Sequence, residues 1–238
     1  MDASILALEM PGMDVQIHQH AGFQIVYAFE NAFDSKVSGQ VYNHIRGFVI
    51  RPQLAHSCSG VSGRFAIVNI EPDSSAGRVL DKILGEKEIW VMNRPEEIYS
   101  ILNMTPTEGE AIYTALSYLR SMQPTQALSP RVQEVIDMIR LQNGQSPTPA
   151  SLASAVHLSP SRLSALFKME TGSSLSKFIL WTRLRRAIHL LLTEDRSLSE
   201  IAAETDFYDS PNFTKYMHKM IGVPPIAFRK KSDLIQVI

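Results

Sequence analysis

The chain has 238 residues, 45% hydrophobic and 20% charged, with a formal net charge of −1. That balance suits a soluble globular protein of two domains and excludes a disordered or fibrous one. Its single cysteine, Cys58, excludes an intrachain disulfide and a cysteine-built zinc site and fits a reducing compartment. No apolar run approaches the ~20 residues of a membrane span, and no basic-then-apolar leader is read at the N-terminus. The expected location is cytoplasmic. Charge is unevenly spread: residues 1–127 carry 9 Lys/Arg against 14 Asp/Glu, and residues 128–238 carry 14 against 10. The basic half is the candidate for phosphate contact.

Residues 15–70 predict short strands. Phe23–Phe29, Gly47–Ile50 and Phe65–Ile70 are rich in β-formers, and turn residues such as Ser38-Gly39, Arg51-Pro52 and Ser62-Gly63 separate them. This spacing suggests a small antiparallel barrel or sandwich. After Glu71-Pro72-Asp73, Val79, Leu80, Ile83 and Leu84 fall at helical spacing. Thr105-Pro106-Thr107-Glu108 reads as a capping box opening a second helix, with the stripe Ile112, Ala115, Leu116, Leu119 and Met122. That stripe either covers the sheet or forms a dimer interface. Residues 121–126 read as a linker, placing one domain at 1–126 and the other at 127–238. Val132, Val135, Ile136 and Ile139 predict a helix ending at Asn143-Gly144.

The last hundred residues contain one pattern twice. Leu152, Ala153, Val156, Leu158, Leu163, Phe167 and Gly172 are matched by Ile201, Ala202, Thr205, Phe207, Phe213, Met217 and Gly222. The offset is 49 up to Leu158/Phe207 and 50 from Leu163/Phe213 onward. Each copy reads as a short helix, a turn and a second amphipathic helix, the sequence form of a helix-turn-helix. A helical connector, residues 174–192, joins them, its buried side marked by Leu175, Phe178, Ile179, Leu184, Ile188, Leu191 and Leu192. Ser197 with Glu200 forms a capping box at the second copy.

Residues 158–172, Leu-Ser-Pro-Ser-Arg-Leu-Ser-Ala-Leu-Phe-Lys-Met-Glu-Thr-Gly, closely resemble the first helix-turn-helix of AraC/XylS-family transcriptional regulators. Phe207-Tyr208-Asp209 through Met217, with Gly222-Val223-Pro224-Pro225 and Phe228-Arg229, resembles the second. Arg183-Leu184-Arg185-Arg186-Ala187 resembles the family's linker helix. The resemblance implies a DNA-binding regulator, an activator touching RNA polymerase, acting as a homodimer on double-stranded DNA in the major groove. Ser161, Arg162, Ser164, Ala165 and Lys168 are the expected contacts of the first reader. Ser210, Asn212, Thr214 and Lys215 are those of the second. Arg reads guanine, Asn adenine and Ala a thymine methyl, while Ser and Lys hold phosphate. Asp206 stands where the family usually has Gly, so that turn must place an Asp in a left-handed conformation. Arg183, Arg185 and Arg186 either line phosphates or tie down carboxylates such as Glu194 or Asp195, and the second is expected for Arg183 and Arg186.

His18-Gln19-His20, Gly39, Gly47–Pro52 and His56 resemble, more weakly, a cupin-like sensor domain. The implied fold is α+β: a small cupin-like β-barrel or sandwich with covering helices, then an all-α domain. Tyr27, Tyr42, Arg46, Arg51 and His56 are candidate contacts for a small-molecule effector. The competing reading is a metal-dependent cupin enzyme holding metal at His18, His20 and His56, with Glu30 as the carboxylate. Glu30 lies too far from His20 for that pattern, one residue is missing between Pro52 and His56, and the resemblance implies a sensor that usually holds no metal, so no metal or cofactor is expected; the regulator reading implies no enzymatic activity.

Overall fold

A computed structural model describes residues 5–20, 22–72, 74–106, 109–122, 128–141, 146–171, 174–221, 224–230 and 236–237. The predicted linker at 123–126, the helix stop at Asn143-Gly144, Thr107-Glu108, and Gly172 and Gly222 lie outside the described residues. The chain divides into two compact units. The first takes in Met1–Thr125 with Lys219–Val223 and Lys230–Ile238; the second takes in Gln126–His218 with Pro224–Arg229.

The first unit is built on two long strands, β1 (Ile5–His18) and β6 (His56–Ile70), which pair antiparallel along their whole length. The register shifts between Pro11 and Met13, around Gly12 at φ 72°, so the ribbon bends there. The other edge of β6 is shared. Its second half pairs with β2 (Phe23–Ala28) and its first half with β3 (Phe33–Val37). Beyond these lie β4 (Gln40–Ile45) on β3, and β5 (Gly47–Ile50) then β7 (Ile89–Met92) on β2. The C-terminal β8 (Gln236–Val237) pairs with β1.

The path β4-β3-β6-β2-β5-β7 is open, and among the described residues β7 does not close onto β4. The expected barrel is therefore corrected to an open, bent sheet. Every residue of β2 is buried, because both faces of the sheet are covered. One face packs under α1 (Ser75–Leu84), α2 (Glu97–Ile101) and α3 (Ala111–Ser121), joining Ile25, Val49 and Val68 to Leu80, Ile98, Ile112 and Leu116. The other is closed by Phe33, Phe48 and Phe65, whose rings meet at 5.7 and 6.0 Å.

Two expectations change here. Helix α3 starts at Ala111 after Glu110, without a side-chain cap, so Thr105 does not cap it. Its stripe is fully used: Ile112, Leu116 and Leu119 are at most 2% exposed inside the sheet core, which removes them as a dimer interface.

Among the described residues the second unit is built of helices: α4 (Pro130–Leu141), α5 (Pro149–Ala155), α6 (Pro160–Thr171), α7 (Leu175–Thr193), α8 (Leu198–Glu204), α9 (Ser210–Ile221), which belongs to it up to His218, and α10 (Pro225–Lys230), which belongs to it up to Arg229. Val132, Val135 and Ile136 of α4 form one core with Leu152, Leu163, Phe167 and Phe178. The connector α7 is buried as predicted at Leu175, Phe178, Ile179, Leu184, Ile188 and Leu191. It also buries Trp181, Ala187 and Leu190, while Leu192 is only half-buried.

Candidate nucleic-acid interface

The two sequence copies fold into the same backbone device. In the first, α5 ends at Val156, His157 turns left-handed at φ 56°, and the Leu158 amide donates to Ala153 O at 2.9 Å. In the second, α8 ends at Thr205, Asp206 turns at φ 60°, and the Phe207 amide donates to Ala202 O at 2.9 Å. A six-to-one bond over a left-handed residue closes a helix C-terminus and aims the next helix away from it. The left-handed strain expected at Asp206 is present, and His157 shares it. The Asp206 carboxylate is also used: its Oδ2 accepts the Ser146 amide at 3.2 Å.

Both second helices are then opened by a side chain at the matching place. Ser159 Oγ accepts the Arg162 amide at 3.3 Å at the start of α6, with Pro160 in the first turn. Asp209 Oδ1 accepts the Asn212 amide at 2.7 Å at the start of α9. The Asp209 cap went unread in the sequence, although Asp before Ser-Pro is its signal. The short helices are capped as well, α5 by a Thr148–Ser151 box and α8 by the expected Ser197–Glu200 box. Donation from the Ser197 hydroxyl and amide holds the Glu200 carboxyl below its ordinary range.

With the backbone set, the side chains sort by face. In α6, Leu163 and Phe167 are fully buried, and Phe167 meets Phe178 edge-on at 5.3 Å. Ser161, Arg162, Ser164, Ala165 and Lys168 are all exposed, so this predicted set shares one open face. In α9, Phe213 and Met217 are fully buried and Phe213 packs on Phe207 at 5.3 Å. Lys215 is exposed, and Ser210, Asn212 and Thr214 are half-exposed, so this second face is more recessed. Tyr208, 92% exposed in the turn before α9, belongs with this surface and was not selected from sequence. An aromatic flanked by the buried Phe207 and the capping Asp209 is the signal that marks it.

The connector arginines hold the frame. Arg183 donates to Thr205 O at 3.2 Å, stacks over the Phe207 ring at 4.7 Å and lies 3.9 Å from Asp206 Oδ2. Burial pulls its pKa down, with Asp206 acting in the opposite direction. Arg186 donates to Glu204 Oε1 at 3.0 Å, and Arg196 bonds both Glu204 and Glu194. The tie to carboxylates holds, with Asp206 facing Arg183 and Glu204 bonded to Arg186. The packing of α8 on α7 brings them there.

The candidate effector residues fall into separate settings of the first unit. Tyr27 is buried in the sheet core opposite Gly47. Arg46 donates to the carbonyls of Ala28 and Phe29 at 3.2 and 2.9 Å. Arg51, at the far end of β5, bonds Lys87 O at 3.0 Å and ion-pairs with Asp81. Tyr42 is half-exposed on β4. His56 instead joins His18 and His20 in a buried cluster. Glu30, named with those histidines in the metal reading, lies on Arg64 at 3.1 Å.

Residues 152–231 match the helix-turn-helix domain family. The chain is 33% identical over 100 residues to the Msm operon regulatory protein of Streptococcus mutans, spanning 42% of this chain and only 36% of that protein. It is 24% identical over 215 residues to the uncharacterized HTH-type transcriptional regulator YobQ of Bacillus subtilis, spanning 89% and 88% of the two chains. The solved structure of ToxT from Vibrio cholerae superposes with TM-score 0.57 at 11% identity over 98% and 99% of the chains, a likeness of fold.

Proposed function

We propose that this chain is a regulator of the AraC/XylS type and controls transcription by binding double-stranded DNA through two major-groove readers. The observation that carries this is the repeated device: two helices, α6 and α9, entered from matching left-handed turns, each buried on one side and polar on the other. A helix presented this way fits the major groove, with its N-terminal residues at base edges. Arg162 is the strongest base reader of the first face and Asn212 of the second. Ser161, Ser164, Lys168, Ser210, Thr214 and Lys215 hold phosphate, and Ala165 contacts a thymine methyl.

In this reading residues 127–238 are the DNA-binding part. Residues 1–126 serve as a cupin-like sensing or dimerisation part with no enzymatic activity. The protein works in the cytoplasm as a homodimer, and as an activator it touches RNA polymerase. YobQ, similar along nearly its whole length, is named as a transcriptional regulator, which supports the reading for the whole chain.

The test is selection of bound sequences from a random DNA pool by the full chain, followed by titrations at several salt concentrations. Two enriched blocks about one helical turn apart are expected. Arg162→Ala should weaken specific binding by about 1–3 kcal/mol and relax the preference at one base. Binding without enrichment and with a steep salt slope would overturn sequence-specific regulation.

A further inference from the structure

The first unit holds three imidazoles that DNA reading does not use. His18 at the end of β1 pairs in register with His56 at the start of β6, and His20 follows on the next loop. All three are buried, His20 at 2% and His56 at 0% exposure. Their rings lie 4.1, 5.0 and 5.7 Å apart, and each offers a nitrogen within 4.8 Å of the others.

The backbone decides which nitrogens those are. His18 Nδ1 lies 3.0 Å from Gln16 O, His20 Nδ1 2.9 Å from Gly22 O, and His56 Nδ1 3.0 Å from Leu54 O. A carbonyl oxygen only accepts, so each Nδ1 carries the proton and each Nε2 the lone pair. Neutral imidazole is the form that binds metal.

Two further contacts point at a cation. Among the described residues no hydrogen bond of ordinary length reaches the buried His20 Nε2, although the Gln24 side chain lies near that ring. His56 Nε2 faces the amide oxygen of Gln24 at 2.9 Å, while the Gln24 amide nitrogen donates to Asn69 at 3.1 Å. Two acceptors face each other there unless the amide turns over or a positive ion lies beside them.

We propose that His18, His20 and His56 bind one first-row divalent metal ion through their Nε2 atoms, with the Gln24 amide oxygen as a fourth donor. An Nδ1–H bonded to a backbone carbonyl is the support that metal-bound histidines ordinarily have. Metal–nitrogen bonds of about 2.0–2.1 Å require the rings to draw closer together than the 4.8 Å within which their nitrogens lie. A neutral nitrogen set with no carboxylate or thiolate suits zinc, copper, nickel or iron(II) rather than magnesium or calcium. Bound there, the ion ties the exit of β1 to the start of β6. The inference stands independently of the DNA-binding reading.

The test uses the full chain, stripped with chelator and equilibrated with Zn²⁺ by dialysis, with X-ray absorption on the loaded protein. One ion per chain is expected, with a nitrogen and oxygen shell at about 2.0–2.1 Å and no sulfur. His20→Gln and His56→Gln should each weaken binding by at least about a hundredfold. His157→Gln and His189→Gln, exposed in the other unit, should leave it unchanged. A folded chain that retains no zinc overturns the proposal. So does a sulfur-containing shell, or binding that survives His20→Gln undiminished. Should His56→Gln fail to fold by circular dichroism, the absorption shell of the unaltered chain and His20→Gln on its loop still decide.

Discussion

Glycine at position 157 is expected to stabilise the C-terminal unit, and glycine at position 206 to destabilise it. Both residues sit left-handed, at φ 56° and 60°. That conformation costs an L-residue about 1–2 kcal/mol, less for Asp. Glycine removes the strain but loosens the unfolded chain by about 0.4–1 kcal/mol. At the exposed His157 the net gain is about 0.5–1 kcal/mol by the same terms. At Asp206 the substitution also deletes the carboxylate that accepts the Ser146 amide and faces Arg183. A hydrogen bond to a charged group contributes about 1.5 kcal/mol. The ion pair, with Asp206 39% exposed, adds no more than a few tenths of a kcal/mol. The balance there is a loss of about 1–2 kcal/mol. Urea unfolding of the full chain in a Trp90→Phe background reads this unit alone, because Trp181 is then its single tryptophan, buried in α7. The midpoints should move in opposite directions with unchanged slopes. Equal gains at both sites would show that the Asp206 contacts contribute nothing, and a loss at His157 would refute the strain argument.

Three other outcomes follow from the same geometry. Phe167→Ala and Phe213→Ala each empty a fully buried site and should cost about 3–5 kcal/mol, visible as early loss of the Trp181 signal. Values under about 1 kcal/mol would mean the two cores are loosely packed. Burial pushes the Cys58 thiol up to about 12, with Ser35 acting against it. The native chain should therefore resist thiol reagents at pH 8 and react fully in denaturant, and fast native labelling would contradict this. Glu200, held below its ordinary range, supports α8 above the usual carboxylate pKa and loses that support as pH falls through its depressed value. The stability gap between the unaltered chain and Glu200→Ala should accordingly narrow in acid, and a gap independent of pH would count against the capping box.

What could be read in the chain follows the range over which each feature is decided. The reader helices are set within a turn or two, by Leu163 and Phe167 or by Phe213 and Met217 at helical spacing, and the exposed faces follow from that spacing. The Ser197–Glu200 box is equally local. Strand β1 escaped because Pro11-Gly12 interrupts it; only pairing with β6 on both sides of the bend makes Ile5–His18 one strand. Arg183 and Arg186 were matched to carboxylates near them in sequence, whereas the fold supplies Glu204 and Asp206 from the next helix and its turn. The histidine cluster is a mixed case. The weak cupin-like resemblance groups His18, His20 and His56, whereas their spacing along the chain does not by itself show that they meet. The β1–β6 register brings them together, and a backbone carbonyl lies at the Nδ1 of each ring.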